Sequence, residues 1–179
     1  MYKLKKILAP VDLSNLSKLG LRYALDIAAP QDAEVIVYHT LTVEETPYPQ
    51  GAEEWVAKQT EVPKVKKVLD RRKKQLERFV VEEFGDLNNH PGIRLEVEIG
   101  TPYKKIVDKA SQEAADMIVM STHGRTGVMH MLIGSVTERV IRRAPCPVLA
   151  VPPPQKSKSR PRKGLAARLL VRSRASSTQ

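Results

Sequence analysis

Residues 117–137 read MIVMSTHGRTGVMHMLIGSVT, and this stretch decides how the rest of the chain can be arranged. Its first four residues form an apolar run that predicts a buried strand. Gly124 and Gly127 mark a loop, and Gly134 with Ser135 opens a helical pattern. A strand that delivers a glycine-containing loop to a helix N-terminus presents free N–H groups and the positive end of the helix dipole to an anion. The stretch therefore favours a phosphate ligand.

The same stretch also has an interpretation that needs no ligand. Ser135 and Glu138 have the S-x-x-E spacing of a capping box, which stabilises a helix start in a protein that binds nothing there. Glycines between a strand and a helix are common turn residues. The local pattern by itself leaves both interpretations open.

Length and composition narrow the class of protein. A chain of 179 residues is long enough for one domain with a substantial core. The single cysteine, Cys146, excludes an internal disulfide and a cysteine-cluster metal site. The longest apolar runs are shorter than the roughly 20 residues that a membrane span needs. The N-terminal run from Ile7 to Val11 is shorter than the core of a signal peptide. These features predict a cytoplasmic protein without a transmembrane segment.

The net charge of +10 is concentrated at the C-terminal end. Residues 153–179 contain eight basic residues and no acidic residue, whereas residues 1–152 contain 22 basic and 20 acidic residues. The change in composition falls at a run of three prolines, 152–154, which cannot continue a strand or a helix. We therefore predict a folded domain over residues 1–152 and a basic, disordered tail over residues 153–179.

Strand and helix patterns alternate along the predicted domain. Predicted strands cover residues 4–11, 33–40, 93–99, 117–120 and 146–151, and predicted helices cover 14–28, 63–84, 101–115 and 135–144, with a short helix beginning near Trp55. Strict alternation predicts an α/β fold, an open five-stranded parallel sheet with helices on both faces. Such sheets bind ligands at the carboxyl ends of the strands, where the strand order reverses. If the first and fourth strands are neighbours, this switch point lies between them.

The predicted helix over residues 63–84 is rich in lysine and arginine, which allows two interpretations. It could be a nucleic-acid surface or an ordinary solvated face. Asp70, Glu77, Glu82 and Glu83 interleave with the basic residues, and the helix offers no aromatic residues for stacking on its basic side. The solvated face is the favoured interpretation.

Taken together, these motifs resemble the universal stress protein family over residues 3–152. The ATP-binding branch of that family has the signature G-x-x-G, nine residues, then G-[ST]. Here Ser121-Thr122-His123-Gly124, nine further residues and Gly134-Ser135 follow that spacing, with Ser121 in place of the first glycine. The flanking segments KKILAPVDLS, HGRTG and GSVTERVIRRAPCPVLAV are equally typical of the family. The resemblance implies a Rossmann-like sheet of the adenine nucleotide alpha hydrolase-like type.

The serine at position 121 is the one departure from the signature. Serine adds a Cβ and a hydroxyl where the backbone of the family passes close to the ligand. With ordinary backbone angles, Ser121 fits this position and can donate a hydrogen bond to a phosphate or ribose. With a positive φ it would be disfavoured by about 1 kcal/mol.

The resemblance implies an ATP site assembled from four segments. The end of the first strand lies beside the adenosine, and a residue of the second strand meets the adenine. The segment after the fourth strand follows the ribose and phosphates, and the next helix begins at the phosphate chain. The residues implied are Pro10, Val11, Asp12, Thr40, Met120, Ser121, Thr122, His123, Gly124, Arg125, Gly127, Gly134, Ser135, Val136 and Thr137.

Several of these residues also have structural interpretations. Asp12 could cap the segment around Ser14, Thr40 could be an ordinary strand-end residue, and Met120 could belong to the core. A structural or ligand-contact role is favoured for His123 over a role as general base. Arg125 either reaches a phosphate or is solvated in its loop.

The function implied by the resemblance is a nucleotide-dependent regulator in stress response. ATP would carry Mg²⁺ or Mn²⁺ on its phosphates. Hydrolysis, if any, would be slow because no carboxylate or lysine of the implied site is placed to activate water. A P-loop is absent from the sequence, and no G-x-G-x-x-G follows a strand, which excludes those two nucleotide-binding classes. The alternative is an interaction module of the same fold that binds nucleotide weakly or not at all.

Two partner surfaces follow from the same patterns. The last predicted strand, Cys146–Val151, is short and apolar, so it is a candidate unpaired edge. The resemblance implies that two copies pair through this edge as a homodimer. The basic tail either contacts an anionic surface, such as lipid headgroups, or is a solubilising appendage.

Overall fold

The computed structural model describes residues 3–85, 92–123 and 133–153. Strands and helices alternate in it as the sequence predicts. The strands are β1 (Lys6–Pro10), β2 (Glu34–Leu41), β3 (Ile93–Ile99), β4 (Met117–Ser121) and β5 (Val148–Val151). The helices are α1 (Asn15–Ala28), α2 (Glu53–Ala57), α3 (Pro63–Phe84), α4 (Pro102–Gln112) and α5 (Ser135–Ile141), with 3-10 turns at Ala29–Gln31 and Val43–Glu45.

The five strands form one parallel sheet in the order β3-β2-β1-β4-β5. The predicted fold class is therefore confirmed, and β1 and β4 are neighbours. Ile7 of β1 pairs with Val35 of β2 on one side and with Met117 of β4 on the other. Because β2 and β4 both flank β1, the strand order reverses at β1, which leaves a crevice at the carboxyl ends of β1 and β4.

Helices cover both faces of the sheet. On one face, Leu21 of α1 and Leu76 of α3 pack with Val35 and Val119. On the other face, the cluster is built from Leu8, Ile36 and Ile118 of the strands, Ile106 and Ala110 of α4, and Val140 of α5. Central strands that are buried on both faces need continuous apolar runs, which explains why β1, β2 and β4 lack an alternating pattern.

Local signals account for most helix boundaries. Ser14 caps α1, since its hydroxyl accepts from the N–H of Ser17. Pro63 and Pro102 stand at the first turns of α3 and α4, where a missing N–H costs nothing. Thr101 is the N-cap residue of α4, one residue before the helix begins, and it makes no side-chain cap hydrogen bond.

The edge strand β3 is protected by charge. Arg94 lies 2.7 Å from Glu34 and 2.6 Å from Glu113, and Lys109 lies 2.8 Å from Glu96. The hydrogen bonds that Arg94 donates hold the pKa of Glu113 at about 2. Strands whose exposed side chains form ion pairs are poor templates for pairing with another chain.

The opposite edge is β5, as predicted from its composition. The side chains of β5 differ in exposure, so only part of this apolar strand is open to a partner. Val151 is only 4% exposed and belongs to the core, and Val148 packs against the α4–α5 layer. Leu149 is 37% exposed. The apolar surface that β5 offers to a partner is therefore Leu149.

Within the described ranges, no helix is long and apolar enough to cross a membrane. Residues 154–179, which make up nearly all of the predicted tail, lie outside the described residues.

Candidate functional site

A cavity of about 360 Å³ opens at the carboxyl ends of β1 and β4. This is the switch point of the sheet, and the volume falls in the range of small-ligand pockets. Elements from both halves of the sheet form its walls. The wall residues include Pro10 of β1, Thr40 of β2, Ile106 of α4, Met120 of β4 and Val136 of α5.

The structure brings together every implied ATP-site residue that it describes. Twelve residues line the cavity: Pro10, Val11, Asp12, Thr40, Met120, Ser121, Thr122, His123, Gly134, Ser135, Val136 and Thr137. The other three, Gly124, Arg125 and Gly127, lie outside the described residues. Four segments that are far apart in sequence thus converge on one space.

The wall at the end of β1 is held by backbone and side-chain hydrogen bonds. The N–H of Val11 donates to the carbonyl of Tyr38 at 2.8 Å, which extends the β1–β2 pairing past the last strand residue. Oδ1 of Asp12 accepts from the N–H of Ser14 at 3.1 Å and from its hydroxyl at 2.6 Å. Asp12 therefore fixes the start of α1, the structural role that the sequence allowed, and it also lines the cavity.

Ser121 has a structural role that the sequence did not reveal. Its φ lies outside the left-handed region, so serine fits this position without backbone strain. Its hydroxyl donates to the carbonyl of Leu16 at 2.6 Å and accepts from the N–H of Gly20 at 3.1 Å. The hydroxyl thus bridges the carbonyl of Leu16 and the N–H of Gly20 in α1, and its only proton is donated to Leu16.

The start of α5 is fastened to the end of β4. The N–H of Gly134 donates to the carbonyl of Thr122 at 2.7 Å, and the hydroxyl of Thr137 donates to the carbonyl of Ser121 at 3.0 Å. Next to this junction, the Thr122 hydroxyl lies 2.8 Å from Nδ1 of His123. These contacts place Ser135 and Val136 at the cavity.

The capping box expected from Ser135 and Glu138 does not form. Gly134 is the N-cap residue, with extended backbone angles of φ −70° and ψ 152°, and it has no side chain to cap with. Ser135 is already the first helical residue, so its hydroxyl is not in the capping position. The helix start is held instead by the hydrogen bond from the N–H of Gly134 to the carbonyl of Thr122, which directly follows β4.

Sequence reasoning missed seven residues of the cavity wall: Ser17, Tyr38, His39, Thr42, Glu45, Pro102 and Ile106. Two signals could have found some of them. Tyr38 shares a strand face with Thr40, because side chains alternate along a strand. Thr42 and Glu45 have T-x-x-E spacing, and here the capping box does form. The residues from α4 depend on tertiary packing.

Two hydroxyls in this wall have hydrogen-bonding capacity to spare. Oη of Tyr38 and Oγ1 of Thr40 are buried and have no partner in good hydrogen-bond geometry within the described part of the chain, although Thr40 and Glu98 both lie near Oη of Tyr38. Burial and the negative charge of Glu98 raise the pKa of Tyr38, so its hydroxyl keeps its proton. Unpaired buried hydroxyls cost about 1–3 kcal/mol each, a cost that a bound partner can offset.

Metal coordination by the protein alone is not supported in the described ranges. No group of three or more His, Cys, Asp or Glu residues is arranged to hold a metal ion there.

The chain matches the model of the universal stress protein family over residues 3–152. It is 36% identical over 156 residues to universal stress protein MJ0531 of Methanocaldococcus jannaschii, covering 85% of this chain and 84% of that protein. Universal stress protein MJ0577 of the same organism is 30% identical over 162 residues, covering 84% and 95% of the two chains.

Solved structures share the fold. The structure of hypothetical protein MJ0577 superposes with a TM-score of 0.67 at 29% identity, covering 86% of this chain and 99% of that chain. Universal stress protein UspA from Lactobacillus plantarum has a TM-score of 0.60 at 24% identity, covering 84% and 99%. A universal stress protein in complex with cAMP has a TM-score of 0.52 at 22% identity, covering 84% and 98%.

Proposed function

Because the chain belongs to the universal stress protein family, we propose that it binds ATP in this cavity and acts as a nucleotide-dependent regulator in stress response. One observation carries the proposal. The residues that the family resemblance assigns to ATP come from β1, β2, β4 and α5, and all those described line a single cavity. A cavity at the switch point of a parallel sheet is also where this class of fold binds its ligands.

The chemistry of the walls suits the two ends of a nucleotide. Met120, Ile106 and Pro102 offer apolar surface to a base, and the hydroxyl of Thr40 lines the same cavity. The hydroxyl of Ser135 also lines the cavity and can donate to a phosphate oxygen. Mg²⁺ or Mn²⁺ would be carried by the phosphates, with water completing its coordination.

The arrangement supports binding and regulation rather than rapid hydrolysis. The two carboxylates of the wall, Asp12 and Glu45, already accept hydrogen bonds from Ser14 and from Thr42 and Arg72. Both carboxylates therefore serve to hold the start of α1 and the 3-10 turn Val43–Glu45. ATP would act mainly by stabilising one conformation of the protein, and any hydrolysis would be slow.

The competing proposal is an interaction module of the same fold that does not bind nucleotide. Its main support was the serine at position 121. The hydroxyl of Ser121 is bonded to α1, which favours the nucleotide-binding proposal. Calorimetry with ATP and Mg²⁺ on protein freed of nucleotide tests this choice, with cAMP as a second ligand because one structural relative carries it. An absence of heat and of thermal stabilisation with either ligand would leave the interaction module.

We further propose a homodimer in which two copies of β5 pair at their free edges. Leu149→Lys is expected to produce monomers, because it places a charge in the small apolar surface of β5, opposite its own copy. Light scattering at tens of micromolar measures the mass. Val148 and Val151 are unsuitable targets because Val151 is buried in the core and Val148 is partly buried against the α4–α5 layer. Val81→Lys, on α3 beside the opposite sheet edge, is the matched control. A monomeric wild type would contradict the dimer.

The tail over residues 153–179 is proposed to contact an anionic surface. Its eight basic residues have no acidic residue among them, and Leu165, Leu169 and Leu170 can share one side of a short helix that a lipid surface would stabilise. We expect the full chain to bind anionic vesicles at low salt and a chain ending at Pro152 not to bind them. Neutral vesicles are the control, and equal binding by both chains would contradict the proposal.

A further inference from the structure

Arg72 lies behind the cavity and holds two parts of its wall at once. It projects from α3, and its side chain is only 16% exposed. Nη1 lies 3.2 Å from Nε2 of His39, and Nη2 lies 3.1 Å from Oε1 of Glu45. Both His39 and Glu45 line the cavity, whereas Arg72 does not. The planar guanidinium can donate to two acceptors in fixed directions, which a lysine ammonium at the same place cannot reproduce.

The arm through His39 reaches the end of β1. The imidazole is 1% exposed, and its Nδ1 lies 2.8 Å from the carbonyl oxygen of Val11. A carbonyl only accepts and a guanidinium only donates, so the proton of the neutral ring is on Nδ1 and Nε2 accepts from Arg72. The hydrogen bonds therefore run from Arg72 through His39 to Val11, which directly precedes Asp12 in the cavity wall.

The arm through Glu45 reaches the 3-10 turn Val43–Glu45. Oε2 of Glu45 accepts from the N–H of Thr42 at 3.1 Å, and the carboxylate closes the capping box of this turn. The salt bridge to Arg72 ties the turn to α3. Thr42 and Glu45 both face the cavity, so the turn forms part of its rim.

We propose that Arg72 is a positioning residue for the nucleotide site, which sets the rim formed by Val11–Asp12 and Thr42–Glu45 without touching the ligand. The inference rests on the proposed function and adds a specific source of affinity to it. Binding sites require their walls to be held within a fraction of an ångström, and buried charge-assisted hydrogen bonds supply such rigidity. Linkage makes the effect reciprocal: bound ATP steadies the contact of α3 with the rim.

The test compares Arg72→Lys with Arg71→Lys in the full chain. Arg71 is the preceding residue on the same helix, is exposed, and lies outside the cavity, so it is a matched control for the chemical change. We expect Arg72→Lys to weaken ATP binding about tenfold by calorimetry, a free-energy loss of about 1.4 kcal/mol. Arg71→Lys is expected to bind ATP like the wild type.

A second readout separates positioning from general stability. Nitrogen NMR of the His39 ring reports which nitrogen carries the proton and whether Nε2 accepts a hydrogen bond. We expect Arg72→Lys to change the Nε2 signal and to speed amide hydrogen exchange at residues 42–46, with both signals unchanged in Arg71→Lys. Unchanged ATP affinity in a folded Arg72→Lys protein would overturn the inference.

Two further outcomes are decided by the same set of variants. If Arg72→Lys folds poorly, Arg72→Gln takes its place, because it leaves the cavity lining unchanged and replaces the charged two-acceptor donor by a shorter neutral amide. It is expected to weaken ATP binding and to alter the His39 signal, and wild-type values for both would contradict the inference. If the wild type binds no ATP, the proposed function fails. Whether Arg72 positions the rim is then decided by the amide hydrogen-exchange rates at residues 42–46. Rates that are unchanged in Arg72→Lys would contradict the inference in that case as well.

Discussion

Replacing Gly134 with valine is expected to abolish ATP binding in a protein that still folds. A Cβ added at Gly134 would lie 2.9 Å from the carbonyl oxygen of Thr122, closer than real Cβ atoms approach. The backbone angles of φ −70° and ψ 152° suit any residue, so the obstacle is space and not conformational strain. The obstructing atom belongs to the backbone of the segment that follows β4, so α5 has to move away from that segment.

This movement reaches the ligand because the same residues line the cavity. The N–H of Gly134 donates to the carbonyl that the new Cβ would displace, at 2.7 Å. Losing that hydrogen bond moves Ser135 and Val136, which form part of the cavity wall. Sites that are loosened by about 1 Å lose most of their function. The obstruction already exists at Cβ, so Gly134→Ala should weaken binding by at least about tenfold.

Calorimetry with ATP and Mg²⁺ measures the affinity, and circular dichroism with a thermal melt establishes that each variant is folded. Ile133→Val, at the preceding exposed position outside the cavity, is the matched control and is expected to bind normally. Undiminished affinity in folded Gly134→Val protein would show that the nucleotide binds elsewhere.

The parts of the fold that could be predicted are those with signals inside a single segment. The bounds of α3 and β3 follow directly from Pro63, the apolar face of the helix and the alternating pattern IRLEVEI. The ends of β5 and α5 were predicted to extend further than they do. Strand and helix ends depend on neighbouring elements, such as the pairing of Ile118 with Val148, and such contacts leave no local signal.

The residues of the candidate site likewise divide into those with a local sequence signal and those without one. The segment at Gly134–Thr137 could be predicted because a motif of fixed spacing specifies its start, and Pro10–Asp12 because it lies at the end of the first predicted strand in a segment typical of the family. His39 and Arg72 could not, since they are 33 residues apart and meet only when α3 packs on the sheet. A histidine inside an apolar strand and an arginine among many basic helix residues look ordinary in the sequence. Their hydrogen bond becomes visible only in the folded chain.

The contact between α1 and β4 also leaves no signal in the sequence, and the variant Gly20→Ala tests it. Alanine is favoured over glycine in a helix interior by about 1 kcal/mol, so helix propensity alone predicts a more stable protein. Packing predicts the opposite. A Cβ at Gly20 would lie 2.8 Å from the backbone nitrogen of Ser121 and 3.0 Å from the carbonyl carbon of Met120. Overpacking against backbone costs about 1–3 kcal/mol.

The hydrogen bond from the N–H of Gly20 to the Ser121 hydroxyl is lost as well, at a cost of about 1 kcal/mol. Packing and hydrogen bonding therefore outweigh propensity, and we expect Gly20→Ala to lower the free energy of unfolding by about 2 kcal/mol. For a chain of this length, that change lowers the melting temperature by about 4–8 °C. Asp26→Ala, at an exposed position on the same helix, is the control and should leave stability nearly unchanged.

Ser121→Ala identifies which atom obstructs the helix. It removes the hydroxyl, after which the N–H of Gly20 can bond directly to the carbonyl of Leu16 in the usual helical pattern, so by itself it should cost about 1 kcal/mol or less. It leaves the backbone nitrogen of Ser121 in place. The double variant should therefore be no more stable than Gly20→Ala. Restored stability in the double variant would assign the obstruction to the hydroxyl, and a Gly20→Ala protein more stable than the wild type would show that α1 is not held against β4 at this point.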